Sequence, residues 1–257
     1  MTNSEQPPIT PLQAMRFARQ ILLPGIDLDG QETLLAAKVL IIGVGGLGCA
    51  AAQYLVAAGI GSVTLVDDDV VDTSNLQRQV LHNEQSVGQA KVDSAKATLS
   101  AINSLCVVHT INKRLAVPDL TVQIDQHDVV LDCTDNLLAR QQINAACFTL
   151  RTPLVSGAAI RFEGQLSTFL MDGHSPCYLC LSQTFAEQQL SCVQAGVMGP
   201  VVGIIGNMQA LETIKLLTGT GQLLAGKLLL FDGSTMEFQT FNIAQHPQCQ
   251  VCGHGVR

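Results

Sequence analysis

Charge is what this sequence has least of. Of its 257 residues only 14% are Asp, Glu, Lys or Arg, against roughly 25% in an average soluble domain. Fourteen basic residues face twenty-one acidic ones, a net charge of −7. So few cations release few counterions from a polyanion, which excludes DNA or RNA as the main partner. With 47% hydrophobic residues and little charge to cover them, part of the surface is expected to be buried against another subunit.

Other absences narrow the class further. Val39 to Val66 is a 28-residue run without an acidic or basic side chain, longer than the roughly 20 residues that span a bilayer. Its six glycines, Gln53 and Tyr54 reject a membrane span, and it divides into strand, glycine loop, alanine-rich helix and strand. A second uncharged run, Gln188 to Leu211, is broken by Gly196, Gly199, Pro200, Gly203 and Gly206 and reads as a buried helix with a small-residue face. Met1 to Thr10 is polar, holds two prolines and lacks an apolar signal core, so a cytoplasmic location is expected. Repeats, low-complexity tracts and linkers are missing too. One α/β unit over 1-257 is expected, with N-terminal helices over 11-36, a parallel half over 38-152 and an antiparallel half over 153-257.

Nine cysteines are an odd number, which argues against a secreted disulfide framework and for metal or thiol chemistry. Four form two hooks, Cys177-Tyr-Leu-Cys180 and Cys249-Gln-Val-Cys252. The two-residue gap lets both thiolates of a hook meet one tetrahedral Zn²⁺, and four thiolates leave no open position for catalysis. A structural zinc is expected. Cys49, Cys106, Cys133, Cys147 and Cys192 are scattered.

The periodicity predicts a Rossmann-like, doubly wound parallel sheet that continues into an antiparallel part. Thr10-Pro11-Leu12-Gln13 has the form of a capping box, opening a helix to about Leu22 that carries Arg16 and Arg19 outward. After Lys38 to Gly43, strands near 63–67, 107–112 and 129–133 alternate with helices near 88–103, 117–126 and 136–150. Beyond Pro153, hairpins are expected about Glu163-Gly164 and Asp232-Gly233, with a long helix from about Met198 to Leu217.

Gly43-Val-Gly45-Gly46-Leu-Gly48 follows a strand and opens a helix, the setting in which backbone approaches phosphate. Asp67 ends the next strand, 24 residues after Gly43, where an acid bonds ribose hydroxyls. That much suits NAD as well as ATP, so a nicotinamide-dependent oxidoreductase with a structural zinc stays in view. Asp67-Asp68-Asp69 then leads to Asn75, Arg78 and Lys91, which could reach a triphosphate that a dinucleotide does not present. Asp132-Cys-Thr-Asp135-Asn136 ends the fourth strand at the carboxyl edge of the sheet. Asp135 suits Mg²⁺ on the phosphates, or else caps the following helix; Asp132 reads as structural.

These residues resemble the MoeB/ThiF family, bacterial relatives of the ubiquitin-activating enzymes. The resemblance runs through Arg16-Phe-Ala-Arg19-Gln-Ile-Leu-Leu, the Gly43 to Gly48 loop, Ser74-Asn-Leu-Gln-Arg-Gln79, Gly88-Gln-Ala-Lys91, Asp132 to Asn136, both cysteine hooks and Ala195-Gly-Val-Met-Gly-Pro200. It implies ATP-dependent adenylation of the C-terminal glycine of a small ubiquitin-like sulfur-carrier protein ending Gly-Gly, with release of pyrophosphate. By motif, Asp67 would bind ribose, and Asn75, Arg78 and Lys91 would hold the triphosphate. Asp135 would bind Mg²⁺, and Arg19 would reach the triphosphate of the neighbouring subunit in a homodimer. Asp69 and Asn136 join the expected nucleotide contacts, and Cys192 is a catalytic candidate because some family members link a cysteine of this loop to the carrier. The segments His82 to Lys91, Ser156 to Gly164 and Leu181 to Phe185 lie closer to the branch serving molybdopterin synthase. Val66 to Asp69 and Phe231 to Ser234 lean toward the thiazole branch. The chain stops five residues after Cys252, so sulfur is expected from a separate donor protein. A zinc-stabilised binding module without catalysis is the third alternative.

Overall fold

A computed structural model of the chain describes residues 9–184 and 195–253. Thr10 caps the first helix, α1 (Pro11–Arg16), through the expected reciprocal capping box. The predicted single helix to Leu22 is broken at Phe17, and α2 (Ala18–Ile21) follows. The break serves packing: Phe17 is buried among exposed neighbours. Its ring lies where a Cβ on Gly59 would come within 2.6 Å of Cζ. A short α3 (Asp27–Ala36) then leads into the sheet.

The sheet has eight strands in the order β3-β2-β1-β4-β5-β6-β7-β8. β1 (Lys38–Ile42), β2 (Ser62–Val66), β3 (Val107–Ile111), β4 (Val129–Asp132) and β5 (Leu154–Ile160) run parallel. From β5 the sheet turns antiparallel through β6 (Glu163–Phe169), β7 (Lys227–Asp232) and β8 (Glu237–Asn242). It is therefore the mixed α/β sheet that the sequence pattern implies. Connections are made by α4 (Gly46–Ala58), α5 (Lys91–Ile102), α6 (Val117–Asp125) and α7 (Leu137–Leu150), and later by α8 (Tyr178–Ser182) and α9 (Gly199–Thr218). Alternation along β1 sends Val39 and Ile41 into one core and Leu40 and Ile42 into the other, as expected for a strand covered on both faces.

Order β2-β1-β4 places β1 at the point where the winding reverses, and open α/β sheets bind ligands outside the carboxyl ends of strands there. α9 crosses α4 through its glycines: a Cβ on Gly206 would stand 2.5 Å from the Leu47 carbonyl oxygen. That contact requires the small-residue face. One expected turn shifts, because the β5–β6 hairpin bends at Arg161 (φ 54°), not at Glu163-Gly164. Gly164 sits inside β6, where a Cβ would meet Ile205 Cγ1 at 2.4 Å; the glycine answers the helix packed above it. No helix among the described residues is long and apolar enough to cross a membrane.

Candidate nucleotide and metal sites

The glycine loop is built by close approach at both ends. Gly43 has φ 95°, and a Cβ there would lie 2.7 Å from the Cys133 carbonyl oxygen; one on Gly48 would lie 1.9 Å from the Gly43 oxygen. The loop is thereby pressed against the end of β4, two residues from Asp135. Gly45 is the N-cap residue of α4 and offers no capping side chain, so the amides of the first turn face the open edge.

Asp67 braces this loop as well as facing the site. Its Oδ2 accepts from Val44 N at 2.7 Å and its Oδ1 from Asp69 N at 2.9 Å, and each oxygen retains a lone pair for a hydroxyl. Lys91 begins α5 with its backbone N–H on the Asp69 carbonyl and its Nζ 2.8 Å from Asp69 Oδ2. Asn75 completes the capping box of a short turn whose cap is Asp72, accepting from Asp72 N at 3.2 Å. Arg78, one turn on, donates to the Ser74 carbonyl at 3.0 Å. The Arg78 carbonyl lies 3.2 Å from where a Gly46 Cβ would be. The glycine loop, the Asn75–Arg78 segment and the Lys91–Asp69 pair thus share one rim.

Asp135 stands across from them. The cap of α7 is Asn136, whose Oδ1 accepts from Ala139 N at 2.9 Å. This corrects the alternative in which Asp135 caps the helix, and its exposed carboxylate takes no hydrogen bond or ion pair among the described residues. Asp132 is the structural member: fully buried, it accepts from Thr134 N and Oγ1 and from Ser156 Oγ. Arg19 lies in the last turn of α2, exposed. Cys192 falls outside the described residues.

Sequence reasoning passed over three buried groups around this rim. His82 contacts the Val44 carbonyl through Nε2 at 3.3 Å and Ser94 Oγ through Nδ1 at 3.0 Å, and burial lowers its proton affinity. Gln79 Oε1 is buried without a partner among the described residues, and its amide lies beside Gly45. Arg140 donates to the Thr134 carbonyl; its place one turn after the Asn136 cap was the available signal. Burial pushes the Cys49 thiol up to about 12 and raises that of Cys133, so neither is a nucleophile at neutral pH. A cleft of about 730 Å³ lined by Lys38, His109, His127 and Asp128 lies toward the opposite ends of the strands and contains none of the motif residues.

The two cysteine hooks meet. All four Sγ atoms lie within 4.8 Å of one another and all four residues are buried, with Cys177–Cys249 at 3.7 Å and Cys180–Cys252 at 3.4 Å. Thiolates 2.3 Å from a tetrahedral Zn²⁺ stand about 3.8 Å apart, so the cluster can bind zinc. Asn144 Nδ2 donates to Cys177 Sγ at 3.6 Å and the His246 N–H to Cys180 Sγ at 3.4 Å, the bonds that support thiolates in such sites. Burial, together with the neighbouring Cys180, pushes the Cys177 thiol up to about 11, a cost that a cation removes.

The ThiF family model matches residues 17–251. The chain is 50% identical over 241 residues to the molybdopterin-synthase adenylyltransferase of Escherichia coli strain K12, covering 94% of this chain and 97% of that protein. It is 45% identical over 239 residues to the sulfur carrier protein ThiS adenylyltransferase of the same strain, covering 93% and 95%. Among solved structures it is similar in fold to Escherichia coli MccB with ATP, at a TM-score of 0.80 and 23% identity over 93% of this chain and 74% of that one.

Proposed function

The chain belongs to the ThiF family, and from that premise we propose that it adenylates the C-terminal glycine of a small ubiquitin-like sulfur carrier of the molybdopterin-synthase type. ATP is consumed and pyrophosphate released, in molybdenum cofactor biosynthesis. The observation that carries this reading is the convergence of the glycine loop, Arg78, Lys91 and the uncommitted Asp135 carboxylate on one sheet edge. The adenylyltransferase names of its relatives favour this over a nicotinamide-dependent oxidoreductase or a non-catalytic module.

A carrier carboxylate oxygen attacks the α-phosphorus, and the bond from that phosphorus to the bridging oxygen of pyrophosphate breaks. A C-terminal carboxylate is ionised at neutral pH, so no general base is required. The chain's task is to align two anions and stabilise the charge passing to the leaving group. The first-turn amides of α4 and the side chains of Asn75, Arg78 and Lys91 hold the phosphates, while Asp67 and Asp69 line the ribose side. Asp135, beside Asn136, holds Mg²⁺, which neutralises phosphate charge when bound. Arg19 reaches the triphosphate of the partner subunit in a homodimer. Zn²⁺ at Cys177, Cys180, Cys249 and Cys252 ties α8 to the C-terminal segment. The carbonyl carbon of the acyl adenylate is then open to a sulfur nucleophile of a separate donor protein in the cytoplasm, the new carbon–sulfur bond forming as the bond to AMP breaks and AMP leaves; Cys192 is the thiol to which the family resemblance leaves a covalent role.

ATP–pyrophosphate exchange with two purified carriers ending in Gly-Gly tests the reading. Exchange with the molybdopterin carrier is expected. Exchange with the thiazole carrier alone would move the enzyme to that pathway, which the 45% identity to a ThiS adenylyltransferase keeps as the second reading; exchange with neither would end the enzymatic reading.

A further inference from the structure

α7 begins beside the proposed Mg²⁺ carboxylate and, about two turns in, meets the cysteine cluster. Thr134, the residue before Asp135, is held three times. Its N–H and Oγ1 both donate to Asp132 Oδ1, at 3.0 and 2.7 Å, and its carbonyl accepts from the Arg140 guanidinium. Asn136, the residue after Asp135, is held as the helix cap. Asp135 therefore sits between two fixed neighbours, its own side chain exposed. Arg140 itself is buried, and Asp132 and Tyr178 both favour its charged form against that burial.

Tyr178 lies inside the first hook, directly after Cys177. One turn beyond Arg140 and on the same face of α7, fully buried Asn144 accepts from the Tyr178 N–H at 2.8 Å while donating to Cys177 Sγ. The Tyr178 ring is fixed edge-on against Phe169, centroids 6.1 Å apart. One face of α7 thus carries Asn144, which holds Cys177 and the Tyr178 backbone, and, one turn earlier, Arg140, which holds the carbonyl that precedes Asp135. A buried arginine needed only to balance Asp132 would not require its reach to Thr134 or the phenol beside it.

We propose that Arg140 is a positioning residue for Asp135, and that Tyr178 and Asn144 make the cysteine cluster the far anchor of the same network. Order at the cluster then sets the affinity of the nucleotide site for its divalent cation, beyond stapling the C-terminal segment. The inference rests on Asp135 being the Mg²⁺ ligand. Arg140, Tyr178 and Asn144 act on that ligand without touching substrate.

The test uses the full chain, without carrier, and Mn²⁺ as the probe for Mg²⁺, its binding to the ATP-loaded protein followed by electron paramagnetic resonance. Tyr178→Phe keeps the ring and removes the hydroxyl; Arg140→Lys keeps the charge and removes the fork. Zinc content per chain and thermal unfolding are measured on both, and they are compared with wild type at full zinc. Mn²⁺ affinity is expected to fall about tenfold in each, the usual cost of losing an outer-shell partner, with ATP affinity in the absence of divalent cation unchanged. Wild-type Mn²⁺ affinity in both variants would overturn the proposal. So would an equal loss of cation-free ATP binding, which marks general collapse, or an Asp135→Asn variant that binds Mn²⁺ like wild type. A wild-type protein that binds Mn²⁺ and ATP but exchanges with no carrier would refute the carrier reading and leave this one standing.

Discussion

Lys91 and Asp69 form an ion pair of 2.8 Å in which the lysine side chain is 8% exposed and the aspartate 65%. The lysine is ordered before nucleotide arrives, on a partner that lies at the surface and competes for it. Lys91→Ala is expected to lower ATP–pyrophosphate exchange at least about 100-fold, the scale for removing a donor aimed at developing charge. Asp69→Asn should weaken ATP by roughly two- to fivefold, because the ribose side loses a carboxylate and Lys91 loses an exposed partner that contributes no more than about 1 kcal/mol. Tighter ATP half-saturation in Asp69→Asn would mean that Asp69 only competes with the phosphates for Lys91.

Two glycines separate close approach from mere smallness. Gly48→Ala places a Cβ 1.9 Å from the Gly43 oxygen and is expected to cost about 3 kcal/mol or more in urea unfolding, since backbone must move. Gly203 lies within α9 with nothing inside 4 Å of its missing Cβ, and Gly203→Ala should add about 0.5–1 kcal/mol by helix propensity. Similar effects from the two substitutions would refute the packing assigned to the loop.

Cys249→Ser should release the bound zinc and lower the melting temperature by about 10 °C or more, because metal binding at such a site adds directly to folding free energy. Zinc release with an unchanged melting temperature would remove the structural role.

His82 is held neutral by burial, its proton affinity below the ordinary value of 6.5. The unfolded chain takes up that proton first as pH falls. The stability His82 contributes is therefore complete above about pH 6.5 and lost as pH drops from there through the folded value. His127, lowered for the same reason, has the same sign. The urea midpoint of His82→Asn is expected to fall less steeply than that of wild type between about pH 6.5 and 5; parallel curves would contradict it.

Arg19→Ala and Asp135→Asn are each expected to abolish exchange alone. Mixed at equal concentration and allowed to re-equilibrate, they should recover about a quarter of wild-type activity, since half the dimers are mixed and each holds one intact site. No recovery, with mixed dimers demonstrated by mass, would place Arg19 in its own subunit's site.

Much of this was legible in the sequence because it is written in local chemistry. The glycine loop announces itself by following a branched run and opening an alanine-rich helix, and the hooks by their spacing. What stayed hidden depends on partners distant in the chain. Phe17 interrupts a helix that its own neighbours favour, because a seat beside Gly59 outweighs the lost turn. Gly164 looked like a turn residue, yet Ile205 dictates it. Arg140 reads as one more cation on an amphipathic helix until Thr134, Asp132 and Tyr178 are seen around it.

The break at Phe17 also carries a genetic consequence. α2 is four residues long and anchored by the Phe17 ring, whose seat is the space left by Gly59, and by Gln20, which donates to the neighbouring Ala58 carbonyl and to Gln31 Oε1. Under the role proposed for Arg19 across a homodimer, a side chain added at position 59 would unseat α2 in its own subunit and silence the active site of the other. A heterozygous mixture of chains would then show the defect in the subunit that carries no mutation.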